Sequence, residues 1–145
     1  MVSYGQAGKE WEVNRVITIG TAGYSYQDWV GPFYPPGLDK REWLAFYGRQ
    51  FSFTEVNSSF YRMPSPYMLA KMAEKTPAGF KFAVKAYRGI THDRNNLVED
   101  CRKLAEAVKP LVEAEKLACI LLQFPTSYHN TRENRSFLSD ISRYL

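Results

Sequence analysis

The sequence predicts an α/β fold of four βα units, corresponding to the N-terminal half of a TIM-type (β/α)8 barrel. Three observations carry this. Strand-like and helix-like runs alternate four times, the rhythm of parallel strands joined by right-handed crossovers. The last strand-like run, ACILLQF (Ala118–Phe124), is almost continuously apolar, as a strand covered on both faces is. Polar side chains recur at the carboxyl ends of the runs: Glu55 and Asn57, then Lys85, then Gln123. An open doubly wound sheet buries apolar groups on both faces of its central strands. A barrel instead turns side chains inward at its C-terminal rim, where the floor of a site lies, and so accounts better for the polar ends. Four units are half of such a barrel, which takes roughly 250 residues.

The elements follow in order. VITIG (Val16–Gly20) is the first strand. Asp39 caps the helix of DKREWLAFYGRQ, with Glu42 at capping-box spacing. FTEVN (Phe53–Asn57) is the second strand. SPYMLAKMAEKT is a helix with Ser65 as cap and Pro66 at its first position, ended by Thr76-Pro77. FKFAVK (Phe80–Lys85) is the third strand. In the next helix Leu97, Cys101, Leu104, Val108 and Leu111 share one face, and Pro110 is expected to kink or split it. After the fourth strand, TRENRSFLSDISRYL forms a helix with Phe137, Leu138, Ile141 and Leu145 inward.

Residues 1–15 read as an N-terminal tail and residues 16–145 as half of a TIM-type barrel domain. The hydrophobic content of 45% and charged content of 23% are those of an ordinary globular chain. Ten Tyr, nine Phe and three Trp are more aromatics than a core of this size needs, so some line a surface or cleft. The net charge of +4 suits an anionic ligand, but no basic block marks a nucleic-acid tail. Cys101 and Cys119 lack metal or redox spacing and read as reduced core residues. No run is long and apolar enough for a membrane span, and the expected location is cytoplasmic.

TEVNSSFYR (Thr54–Arg62) singles out the candidate site. Residues two apart in a strand point the same way, so Glu55 and Asn57 share a face opposite Val56. Glu55 is the candidate acid or base. Lys85, ending the next strand, is the matching cation, as a catalytic partner or as a structural ion pair with Glu55. His92, after the third strand, is a candidate proton carrier. Asn57 orients a ligand or holds Glu55. Arg62 offers a fork for phosphate or carboxylate, or caps a loop carbonyl, with Tyr61 beside it. Tyr24, Tyr26 and Trp29 either stack a base or sugar or plug the barrel top. Gln123 bonds within the barrel or contacts a ligand. Glu55, His92, Asp93 and His129 are the set a metal would draw on, but no tight ligand spacing supports it. No metal is assigned, and no cofactor is identified.

Four stretches in this order, IGTAGYSYQDWVGPFYP (Ile19–Pro35), EVNSSFYRMP (Glu55–Pro64), TPAGFKFAVKAYRGITH (Thr76–His92) and LLQFPTSY (Leu121–Tyr128), resemble the YecE-like family, the domain of unknown function 72. The resemblance runs from about Val16 to the C-terminus. It implies a TIM-type barrel distantly similar to the endonuclease IV and xylose isomerase group, and no established activity. Ala22 stands where Ser is usual and Tyr24 where Trp is common. Members of the family continue through further strands, including a Glu-x-Arg-His type segment.

The expected function is therefore binding of an anionic ligand (a phosphodiester, nucleic acid or sugar phosphate) at the C-terminal rim, with Glu55 as acid/base in the full barrel. The alternative is a non-catalytic half-barrel, or a truncated product, that self-associates. The expected partner is a second copy of the chain, or several, joined through exposed strand edges.

Overall fold

The computed structural model describes residues 17–145, so the expected tail and Val16 lie outside the described residues. The chain runs β1 (Gly20–Thr21), α1 (Trp43–Gln50), β2 (Phe53–Val56), α2 (Pro66–Glu74), β3 (Lys81–Lys85), α3 (Leu97–Glu113), β4 (Leu117–Leu121) and α4 (Arg132–Tyr144). The strands form one parallel sheet in the order β1-β2-β3-β4. Each strand lies beside its predecessor, and right-handed crossovers stepping always the same way bank the helices on one face. Thr54, Val56, Phe82 and Val84 point to that face and are buried. There Val56, Phe82 and Val84 join Leu69, Leu104 and Leu111 in the core. On the other face Phe53, Glu55, Lys81 and Lys85 are only half-buried and Cys119 is exposed.

Two strands are shorter than their apolar runs, for one reason. A strand extends only as far as its neighbour pairs with it. β1 pairs from Gly20, opposite Phe53 where β2 begins. Ile17 and Ile19 therefore lie outside the sheet, 85% and 70% exposed. β4 ends at Leu121 because its partner ends at Lys85, so Leu122–Phe124 run on as loop. Cys119, expected in the core, sits on the open face, whereas Cys101 is buried and its thiol is pushed up to about 11 by that burial and by Asp100.

Local chemistry explains the helices. Ser65 accepts from the Met68 amide and Pro66 opens α2, as expected. Asp39 accepts from the Arg41 amide at 2.8 Å but caps a 3-10 turn, Lys40–Glu42, that leads into α1; Glu42 makes no reciprocal cap bond. Pro110 neither kinks α3 apart nor ends it. It falls in the last turn, where it removes one backbone bond, and fully buried Leu111 and nearly buried Val108 anchor that turn to the core. In α4 Ile141 is buried, but Leu138 and Leu145 are each 38% exposed.

Candidate functional site

The site begins where β1 and β2 end. The Tyr47 hydroxyl, from α1, meets the Thr21 amide and the Phe53 carbonyl, each at 2.9 Å, and so staples the two strands. They approach closely at Gly20, where a Cβ would run into the Phe53 carbonyl. Gly23, at φ 95°, then turns the chain so that Tyr24, Ser25 and Tyr26 stand over the carboxyl end of β2. Tyr26 donates to the Ala22 carbonyl and Tyr34 to the Tyr24 carbonyl at 2.5 Å, fixing this loop.

Beyond Val56 the chain leaves the sheet. Asn57 opens a 3-10 turn (Asn57–Phe60) rather than continuing the strand, so the period-two argument holds for Glu55 and not for Asn57. The turn is locked by buried Ser59, whose hydroxyl lies 2.5 Å from the Val56 carbonyl and 2.6 Å from that of Lys85. Its single proton serves both strand ends. The turn nevertheless brings Asn57 back beside Glu55. Both line a cleft of about 400 Å³ with Tyr24, Tyr26, Tyr61 and Met68. Burial raises the pKa of Tyr24, which faces the cleft as a neutral phenol. Among the described residues, the one buried side-chain oxygen or nitrogen without a hydrogen-bond partner is Asn57 Oδ1. A buried acceptor left unsatisfied costs about 1–3 kcal/mol, so this amide is stored at a loss unless something donates to it.

The other expected residues lie outside this cleft. No ion pair joins Glu55 to Lys85 among the described residues. The Lys85 ammonium sits 4.8 Å over the Phe60 ring, drawn to its negative face. His92 meets the same ring edge-on at 5.0 Å, and its Nδ1 lies 2.9 Å from the Thr91 hydroxyl. Asp93 is held by a two-pronged contact from Arg88, at 3.0 and 3.1 Å. Trp29 packs against Tyr26, Phe33 and Tyr47 and does not line the cleft. Arg62 is exposed and lines an adjoining pocket of about 370 Å³ that shares Ser58 and Met68 with the cleft. Gln123 is exposed beyond the end of β4. The described residues contain no group of three His, Cys, Asp or Glu placed to hold a metal.

Three features were not read from the sequence. Arg94, at φ 57°, places its guanidinium among Phe124, Tyr128 and Phe137 at 4.7–5.7 Å and so ties the loop after β3 to the loop after β4 and to α4. Lys116 is buried, and its ammonium donates to the Ala73 and Thr76 carbonyls and the Thr76 hydroxyl. A second groove, of about 320 Å³, shares Tyr24, Met68 and Met72 with the cleft but is lined by Lys40, Arg41, Lys71 and Lys75. All three join residues far apart in the chain.

The sheet and its one-sided helices define an α/β protein built on a parallel sheet. The chain belongs to the DUF72 family, described as "Protein of unknown function DUF72", whose match covers residues 18–145. It is 33% identical to the UPF0759 protein YunF of Bacillus subtilis, over 85% of this chain and 45% of that protein. Among solved structures, a DUF72 family protein from Thermotoga maritima is 30% identical with a TM-score of 0.77, over 90% of this chain and 52% of that one. A DUF72 family protein from Enterococcus faecalis, 24% identical with a TM-score of 0.74, shares the fold over 89% of this chain and 47% of its own. The chain thus spans about half the length of the relatives it matches. No helix among the described residues is long and apolar enough to cross a membrane.

Proposed function

We propose that this chain supplies the first four βα units of a TIM-type (β/α)8 barrel, and that the cleft over β2 is the part of its C-terminal rim that binds a small molecule. Support for the first part comes from the winding. A sheet whose strands add in sequence order, with helices on one face and half-buried polar groups on the other, is what one side of a barrel wall looks like. Relatives of about twice the length accommodate the remaining units.

The observation that carries the second part is the unpartnered, buried Oδ1 of Asn57 beside Glu55 in the cleft. Two acceptors without a lining cation call for a ligand that brings donors, hydroxyl or amino groups, while Tyr24, Tyr26 and Tyr61 offer faces for a ring. Glu55 then takes or gives a proton at one of those donors. Neither Lys85 nor Arg62, the cations expected to neutralise an anion, lines this cleft, Arg62 lying in the adjoining pocket.

NMR titration of the 145-residue chain with glucosamine and with adenosine tests the reading. At least one is expected to give saturable shifts at Tyr24, Glu55 and Asn57 that vanish in Asn57→Leu and weaken in Glu55→Gln. If neither probe moves these signals, or if both variants respond like the wild type, the cleft is not a binding site.

A further inference from the structure

We propose that the basic groove between the start of α1 and the outer face of α2 is a phosphate-binding subsite adjoining the cleft. The cleft reading enters only in assigning the phosphate and the donor-bearing group to one ligand.

The groove is built by two short stretches. Lys40 and Arg41 come from the 3-10 turn that leads into α1. Lys71 and Lys75 stand one turn apart on α2 and just beyond its end. Spacing of i, i+4 puts the last two side by side. No carboxylate lines the groove. The nearest ones pair from outside it, Asp39 with Arg41 at 3.6 Å and Glu74 with Lys71 at 2.6 Å. The other two cations are steered by neutral partners. The Lys75 ammonium is anchored on the Arg41 carbonyl at 2.8 Å, and that of Lys40 lies 5.5 Å over the Trp43 ring. Neither pairs with a carboxylate among the described residues, and each has further N–H donors at the groove, which is what a phosphate's several acceptor oxygens require.

Location strengthens the case. Tyr24, Met68 and Met72 belong to both walls, so the groove and the cleft are immediate neighbours. Acceptors stand on one side and cations on the other. A molecule with a hydroxyl- or amino-bearing ring and a phosphate on its flank satisfies both, and a simple anion or a simple sugar satisfies only one.

Calorimetric titration of the 145-residue chain with pyrophosphate, in buffer matched with chloride for ionic strength, is the test. Saturable binding is expected, weakened about tenfold or more in the Lys40→Gln, Lys71→Gln double variant, whose circular dichroism spectrum should match the wild type. Asn57→Leu is expected to leave pyrophosphate affinity unchanged while abolishing the cleft response, so the two readings fail separately. Adenosine 5′-monophosphate and an oligothymidylate then distinguish the source. Tighter binding of the nucleotide assigns a phosphomonoester, and tighter binding of the oligomer, with a steep salt dependence, assigns a phosphodiester backbone. Pyrophosphate binding no stronger than that of matched chloride, or equal in the double variant, overturns the proposal. If the double variant is misfolded, the single variants Lys40→Gln and Lys71→Gln decide by the same criterion.

Discussion

Replacing Asn57 by leucine separates a residue kept for a ligand from one kept for the fold. Asn57 is half-buried, with its Oδ1 sealed from solvent and without a donor. An unsatisfied buried acceptor costs about 1–3 kcal/mol, whereas an apolar replacement of similar shape removes the cost and adds burial. Because the residue is only partly covered, the lower part of that range applies, and Asn57→Leu is expected to raise stability by about 1 kcal/mol. Urea unfolding followed by far-ultraviolet circular dichroism reads this as a higher midpoint at an unchanged slope. Asn57→Asp places a negative charge at the same spot beside Glu55 and is expected to lower the midpoint. A loss of more than about 1 kcal/mol in Asn57→Leu refutes the reasoning. The amide would then be supporting the 3-10 turn, and the cleft would lose its main claim to a ligand.

Two further outcomes concern the scaffold. Lys116→Met removes the ammonium that holds the end of α2 against the entry to β4. Hydrogen bonds to a charged group contribute about 1.5–3 kcal/mol, so a loss of that order is expected in urea unfolding. Burial lowers the folded-state pKa of Lys116 below its ordinary value of 10.5. Between those two values the unfolded chain holds more protons, so wild-type stability gains on the variant as pH rises through the window. Tyr24, raised by burial, adds the opposite slope to both proteins, and the difference between them isolates Lys116. A gap that narrows with rising pH contradicts this assignment. Self-association of the isolated 145-residue chain is the other outcome. Among the described residues β1 and β4 each have one unpaired edge, and Ile17 and Ile19 are exposed beside the first. Light scattering at low micromolar concentration is expected to give a dimer or larger, and a stable monomer refutes it.

What the sequence made legible was what depends on near neighbours in the chain. Four alternating units, the Ser65-Pro66 start of α2 and the buried stripe of α3 all follow from spacings within a few residues. Glu55 was legible for the same reason: an acid at the end of an otherwise apolar strand has nowhere ordinary to point. What depends on a second segment was not. Where β1 and β4 stop is decided by the length of β2 and β3 beside them. Whether Lys85 reaches Glu55 is decided by Phe60, in the turn that follows β2, whose ring holds the ammonium instead. The basic groove lies furthest from view, because Lys40 and Lys75 line it together only once the turn before α1 lies against the end of α2. Its consequence for the site is a reversal of roles. The acid and the cations read as one constellation do not meet: Glu55 lines the acceptor cleft without Lys85 or Arg62, and the cations across its shared tyrosine and methionine wall are Lys40, Arg41, Lys71 and Lys75. Opposite charges that are kept apart do not neutralise each other, so each retains its capacity to bind. On the proposed reading, that separation favours a ligand carrying both a donor-bearing ring and a phosphate over either the anion expected from net charge or a neutral sugar alone.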